Sequence, residues 1–394
     1  MEQKRKKNNK MLLQGLKNLR LGLNELSVDE FVISTIEMLM ITERDEYLDQ
    51  IKSKGGKDKG NGHYPRSFKS FSKNSLVINI PRTRLGEFKP VAIEFLKHRQ
   101  ESINELVLKL YVKGLTTTDV SDILESFFGT NMSPAQVCKL SEAFSDIRAA
   151  WEKSFLEKSY KVAFCDALYM TVRRGDSYSK EAVHVIYGIR EDNKRELLHL
   201  SINPTESRLS WREAFQNIKK RGIQSIDLII ADGVKGLQDE VHTIFPGTKF
   251  QKCVVHKRRN ITNKVRPKEK AQIQQELKEV FNNFEANSSK EEGIKKFKSF
   301  VERWQDKYPS FKNQIDDNLE YYFTYVDYPY KLRRMIYSTN SIENLNKMIR
   351  KATKNKLSFE KPERLLDYVF MVIKQFEDNN WMKYPITAMQ EWRA

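Results

Sequence analysis

KVAFCDALYMTV, residues 161–172, is a continuous apolar run rich in β-branched and aromatic residues, and the rest of the chain takes its place around it. Such a run reads as a strand covered on both faces. One acid, Asp166, stands in its middle, where an ionised carboxylate is costly unless it is paired or bound to a metal. Two similar runs follow, EAVHVIYGIR (181–190) and ELLHLSIN (196–203), across short polar turns at 173–176 and 191–194. Short connections predict antiparallel neighbours.

The rhythm then changes. SRLSWREAFQNIKKRG (207–222) is an amphipathic helix ending at a glycine, IDLIIADG (226–233) an apolar strand, VKGLQDEVHTIF (234–245) a helix stopped by Pro246, and KFQKCVVH (249–256) a fifth strand. Three strands, helix, strand, helix, strand is the order of the ribonuclease H fold. The expected fold class is therefore an α/β core of ribonuclease-H-like fold with a mixed five-stranded sheet. Asp232 closes the fourth strand at its carboxyl end, where α/β sheets place their ligand sites. An Asp-Gly pair is also an ordinary turn, and a strand aspartate can simply meet a surface lysine.

Polar, helix-leaning sequence fills 257–335, too long for a loop, and predicts an all-α insertion. Upstream, residues 11–50 read as helical, with Ser27-Val-Asp-Glu30 as a capping box. Residues 51–74 read as a basic linker or mobile arm, in which Tyr64, Phe68 and Phe71 lie among Lys and Arg, and SLVINIP as a short strand. Residues 100–157 read as helical, with Ser133-Pro-Ala-Gln136 opening one helix; the tight turn before it fits a helix-turn-helix or an ordinary helical hairpin. The expected divisions are 1–50, 51–99, 100–157, 158–256, 257–335 and 336–394, with a mainly helical DNA-binding region ahead of the core.

Charge narrows the function classes. Lys plus Arg is 69 against 52 for Asp plus Glu, a net +17, and the basic residues are clustered. Residues 249–270 hold nine Lys/Arg and one acid, 331–356 eight and one, and 51–74 seven and one. Clustering of this kind favours a polyanion partner, because each neutralised phosphate releases a counterion. No stretch approaches the roughly 20 apolar residues that span a bilayer. The basic start, MEQKRKKNNK, is not followed by the apolar core of a secretory signal. Three cysteines, Cys138, Cys165 and Cys253, are too few and too scattered for a disulfide framework.

Glu343 is the one acid in the 331–356 segment. Its helix, NSIENLNKMIR (340–350), carries Ile342, Leu345 and Ile349 as an apolar stripe, with Glu343, Asn346, Lys347 and Arg350 on the other side. A lone acid among cations suits a metal-ligand role at a phosphate, although Asn340-x-x-Glu343 also reads as a capping box and Glu343 could pair with Lys347. Cys253-x-x-His256 is half a zinc motif with no second pair at finger spacing, and Lys257-Arg258-Arg259-Asn260 beside it suits phosphate contact.

At this point the chain resembles a known family. FCDALYMTVR (164–173), IIADGVKGL (229–237), FPGTKFQKCVVHKRRN (245–260) and YPYKLRRMIYSTNSIENLNKMIRK (328–351), with ERDEYL, IPRTRLGEFKP and YVKGLTTTDVSDIL upstream, look like the blocks of the Mutator-type transposases of bacterial insertion sequences. The resemblance spans nearly the whole chain, with Ser338 and Ser341 standing where Thr and Ala are frequent. It implies a ribonuclease-H-like domain whose catalytic, metal-binding triad is Asp166, Asp232 and Glu343, holding two Mg²⁺ ions for which Mn²⁺ can substitute. It further implies strand cleavage and strand transfer at terminal inverted repeats, double-stranded DNA as partner, a homodimer on DNA, and a cytoplasmic, nucleoid-associated protein. Lys257, Arg258, Arg259, Lys347, Arg350 and Lys351 are the expected DNA contacts; Cys253, His256, Asn260 and Asn340 are expected to position the site. The rival readings are a DNA-binding regulator with structural acids, and a nuclease of the same fold that cuts without joining.

Overall fold

Five strands from the second half of the chain form one mixed sheet in a computed structural model that describes residues 28–68, 76–128, 132–315, 318–356 and 359–392. They are β3 (Ser159–Arg174), β4 (Ser177–Arg190), β5 (Arg195–Asn203), β6 (Ser225–Ala231) and β7 (Lys249–Lys252), in the spatial order β5-β4-β3-β6-β7. β3, β4 and β5 pair antiparallel across their short turns, whereas β6 pairs parallel with β3, and β7 parallel with β6. Helices α6 (Arg208–Lys220) and α7 (Leu237–Ile244) make the two crossovers. The mixed α/β sheet thus agrees with the expected one in the number and order of its strands.

The sheet is covered because its runs are apolar on both faces. Ala163, Cys165, Ile186, Leu198, Ile229 and Phe250 pack with Trp211 and Phe215 of α6 and Val241 of α7. Helices α12 (Asn340–Thr353) and α13 (Pro362–Phe376) also pack on the sheet, and Asn346 of α12 reaches Asp166 of β3. Glu240 ties α6 to α7: its buried carboxylate accepts from Arg212 at 2.6 and 2.8 Å and from Arg208.

Two compact units divide the chain, residues 1–141 and 142–394. Helix α5 (Ala143–Lys153), expected among the DNA-binding helices of 100–157, packs on α13 in the second unit, where Arg148 donates to Asp367 at 2.7 Å. The first unit holds α1 (Val28–Ser53), β1 (Gly60–Phe68), β2 (Leu76–Thr83), α2 (Val91–Val112), α3 (Thr117–Phe128) and α4 (Pro134–Leu140). Here the linker expected over 51–74 is corrected: residues 60–68 are a strand paired with β2, and Phe68 is buried with Met40, Ile78 and Ile80 rather than free for base stacking. Tyr64 stays exposed, while Phe71 and Ser27 lie outside the described residues. The capping box at Ser133 forms as expected, but α4 has only seven residues.

Between β7 and α12 the chain is helical among the described residues: α8 (Val254–Thr262), α9 (Pro267–Val280), α10 (Lys290–Trp304), short 3-10 turns, and α11 (Tyr330–Ile336). The fifth strand is shorter than expected. It ends at Lys252, and Cys253-Val-Val-His256 opens α8 instead. The Cys253 N–H still donates to Ala231 O at 2.8 Å, but the next N–H, of Val254, turns to Tyr337 O at 3.1 Å. No helix among the described residues is long and apolar enough to cross a membrane.

Candidate active site

Strand register brings the two aspartates level. β3 and β6 pair as far as Phe164 opposite Ile230, so two further places set Asp166 beside Asp232, where the strands stop pairing. Each carboxylate is first held by its own turn of chain. The Ala167 N–H donates to Asp166 Oδ1 at 3.0 Å, and the Gly233 N–H to Asp232 Oδ1 at 2.6 Å. The other oxygen of Asp166, Oδ2, accepts from Asn346 Nδ2 at 2.7 Å.

Glu343 arrives on the first turn of α12, and its side chain does not cap that helix. The N-cap is Thr339, without a side-chain cap bond, and Glu343 contributes only its backbone N–H to Thr339 O. Its carboxylate faces α8: Glu343 Oε1 lies 3.3 Å from Arg259 Nη2 and 3.8 Å from His256 Nε2. His256 Nδ1 lies 3.6 Å from Asp232 Oδ1, so the imidazole stands between two of the acids. That Nδ1 is buried and has no hydrogen-bond partner among the described residues, and the same is true of Asn346 Oδ1.

The electrostatics follow from this crowding. Burial chiefly, then the charges of Asp232, Glu206 and Glu343, raise the Asp166 carboxyl to about 7, against the lowering effect of the Ala167 N–H. Glu206, in the loop before α6, is raised by burial and by Asp232, while Trp211 Nε1 donates to it at 3.0 Å. Among the described residues no three His, Cys, Asp or Glu side chains stand together as a ready-made ion site; Glu343 is engaged by Arg259 and His256.

The Cys-x-x-His pair divides its work. Cys253 is buried, its thiol pushed up by burial, and its sulfur accepts from the N–H and hydroxyl of Thr339 at 3.3 and 3.1 Å. That contact ties the start of α8 to the start of α12, one residue from Asn340. His256, one turn on, points to the acids.

The expected phosphate contacts separate into two groups. Arg259, Asn260, Lys347, Arg350 and Lys351 are exposed, as is Asn340, and Arg258 is partly so. Lys257 is a correction: it is buried, donating to Gln314 O at 3.0 Å with its ammonium over the rings of Tyr322 and Phe297. Residues 257–259 lie in a helix, and its period turns Lys257 inward while Arg258 and Arg259 remain accessible. Two residues at the site, Asn346 and Glu206, were given no role there by the sequence. Asn346 had a signal, its i,i+3 spacing from Glu343; Glu206 had none beyond its place before a helix.

The sequence matches the family described as Transposase, Mutator family, across residues 3–384. It is 32% identical over 363 residues to the transposase for insertion sequence element IS905 of Lactococcus lactis subsp. lactis (strain IL1403), covering 90% of each chain. It is 30% identical over 310 residues to the transposase for insertion sequence element IS1201 of Lactobacillus helveticus, covering 78% of this chain and 82% of that one. It is also 30% identical over 332 residues to the transposase for insertion sequence element IS256 in transposon Tn4001 of Staphylococcus aureus, covering 83% and 84%. With nearly its whole length accounted for by that match, the chain belongs to the Mutator family of transposases.

Proposed function

We propose that the chain binds the terminal inverted repeats of an insertion sequence and carries out metal-dependent strand cleavage and strand transfer, from a ribonuclease-H-like core whose triad is Asp166, Asp232 and Glu343. The observation that carries this reading is the register that sets Asp166 beside Asp232, with Glu343 reaching the same place from α12 through His256.

The donor set fits a hard divalent cation, since carboxylate oxygens are what Mg²⁺ and Mn²⁺ prefer. The crowding of negative charge that helps hold Asp166 near 7 is also what a cation relieves. Asp166, Asp232 and Glu343 would hold it. The chemistry such an ion would supply there is a lowered pKa for an attacking water or 3′-hydroxyl and relief of charge on the leaving oxygen. The protein's own groups do the rest. Asn346 and the Ala167 N–H fix both oxygens of Asp166, and the Gly233 N–H fixes Asp232. His256 stands between Asp232 and Glu343, its Nδ1 without a hydrogen-bond partner among the described residues and 3.6 Å from Asp232 Oδ1. Exposed Lys347, Arg350 and Lys351 on α12 grip phosphate, and residues 1–157 recognise the repeats. Joining two element ends calls for two sites, hence a homodimer.

The test is strand transfer in vitro on labelled element-end DNA and a plasmid target, with Mg²⁺ or EDTA, for wild type and for Asp166→Asn, Asp232→Asn and Glu343→Gln. Joined product from wild type alone, abolished by EDTA, with all variants still binding DNA, is the expected result. Cleaved but unjoined ends would make the protein a nuclease. Binding without either product, under conditions that support a related enzyme, would favour the regulator.

A further inference from the structure

A second basic feature adjoins the triad, and it is a pocket. About 410 Å³ in volume, it lies between α8 and α9 and is lined by Arg258, Arg259, Thr262 and Asn263 of α8 and its C-cap with Lys270 and Gln274 of α9. Val255, Arg258, Arg259 and Thr262 recur at helical spacing, so one stripe of α8 faces Lys270 and Gln274, themselves one turn apart on α9. Apart from Val255, the wall is cations and neutral hydrogen-bonding groups. The nearby acids of α9 are engaged elsewhere, Glu269 by Lys307 and Tyr308, and Glu276 by Arg303 and Trp304. A larger groove between α9 and α10 lacks this character, because its Lys296 pairs with Glu292 and its Arg303 with Glu276.

Arg259 belongs to both places. It lines the pocket, and its guanidinium also holds Glu343 Oε1 at 3.3 Å. More than half of the Arg259 side chain is exposed, and a pair so open to water is held by little free energy. A phosphodiester offers the same fork a bidentate partner with more charge around it.

We propose that the pocket between α8 and α9 receives a backbone phosphate of the DNA substrate, and that Arg259 is a switch which holds Glu343 in the free protein and passes to that phosphate when DNA enters. Resting on the transposase reading above, this gives the helical insertion a part in the reaction, because α9 completes the pocket whose filling frees Glu343 to join Asp166 and Asp232. The triad is then competent only when substrate is seated, which keeps the free protein from nicking DNA at random.

The experiment has two readouts, neither of them catalysis. In EDTA, a short labelled DNA duplex is titrated at several salt concentrations against wild type, Lys270→Gln and Arg259→Gln. Without DNA, Mn²⁺ binding to the same proteins is measured calorimetrically. Losing one phosphate contact should lower the log–log salt slope by about 0.9 in each variant. Arg259→Gln should also tighten Mn²⁺ binding about three- to fivefold, the release of a partly exposed ion pair, while Lys270→Gln leaves it unchanged. Unchanged slopes in both variants, with wild type binding normally, would overturn the phosphate pocket. Unchanged Mn²⁺ affinity in Arg259→Gln would overturn the switch. A wild type that binds no duplex would sink the proposed function itself, a result distinct from either.

Discussion

Asn346 shows how one side chain outside the proposed triad can hold an acid within it in place. It is nearly fully buried on α12, and its amide N–H is the side-chain donor that reaches Asp166. Groups that orient a metal-binding carboxylate commonly account for 10–100-fold in affinity or rate. Asn346→Ala should therefore lower strand cleavage by about 10–100-fold while DNA binding stays intact, as gel-shift and cleavage assays on one preparation will show. Lys257 makes the opposite case. Its ammonium is engaged inside the fold, so Lys257→Ala should lower stability by about 1–3 kcal/mol in denaturant titration. The salt slope of DNA binding should not move, in contrast with Lys270→Gln. A shallower slope in Lys257→Ala would return that lysine to the DNA surface.

At the scale of elements, the site depends on how closely β3, β4 and β5 approach. Gly188 of β4 faces Tyr160 and Leu198 on its two neighbours; a Cβ there would stand 2.6 Å from the Tyr160 ring and 2.8 Å from Leu198 Cδ1. Neither neighbour can retreat, since Tyr160 is buried with its hydroxyl bonded to Glu196 at 2.9 Å, and Leu198 is buried as well. Gly188→Val should cost at least about 1–3 kcal/mol, read from the denaturation midpoint. A neutral result would mean the sheet is looser than its register implies. The junction from β7 to α8 matters equally. Cys253 and Val254 divide their backbone N–H groups between Ala231 and Tyr337, and this turn aims His256 at Asp232 and Glu343.

Over the whole molecule, pH acts on the core as well as on the acids. His184 and His199 are buried in β4 and β5, and burial lowers each to about 4 from an ordinary 6.5. Their rings are satisfied neutral, His184 Nε2 by Ser210 Oγ at 3.1 Å and His199 by Asn217 and Ser201 at 3.2 and 2.9 Å. The unfolded chain binds these protons first, so their contribution is complete above pH 6.5 and is lost as pH falls toward 4. Each accounts for on the order of 2–3 kcal/mol across that window. Thermal denaturation from about pH 7 to about 4.5 should show stability falling steadily, with a shallower decline in His199→Gln. Identical slopes would remove His199 from the account.

Much of this protein was legible in its residues. Continuous apolar runs and short polar turns determined five strands in order, two crossovers and a helical stretch after the fifth strand, because periodicity and turn length are local properties. The same runs marked Asp166 and Asp232 as acids out of place. What stayed hidden was non-local. Phe68 became core rather than a stacking arm because β2 and α1 lie against it, and Lys257 turned inward because CVVH begins a helix where its composition reads as strand. Pairing of Arg259 with Glu343, and the lining of one pocket by both Arg259 and Lys270, depend on which helix packs beside which. Only the tertiary structure decides that, because such contacts join residues whose spacing along the chain carries no signal of their meeting.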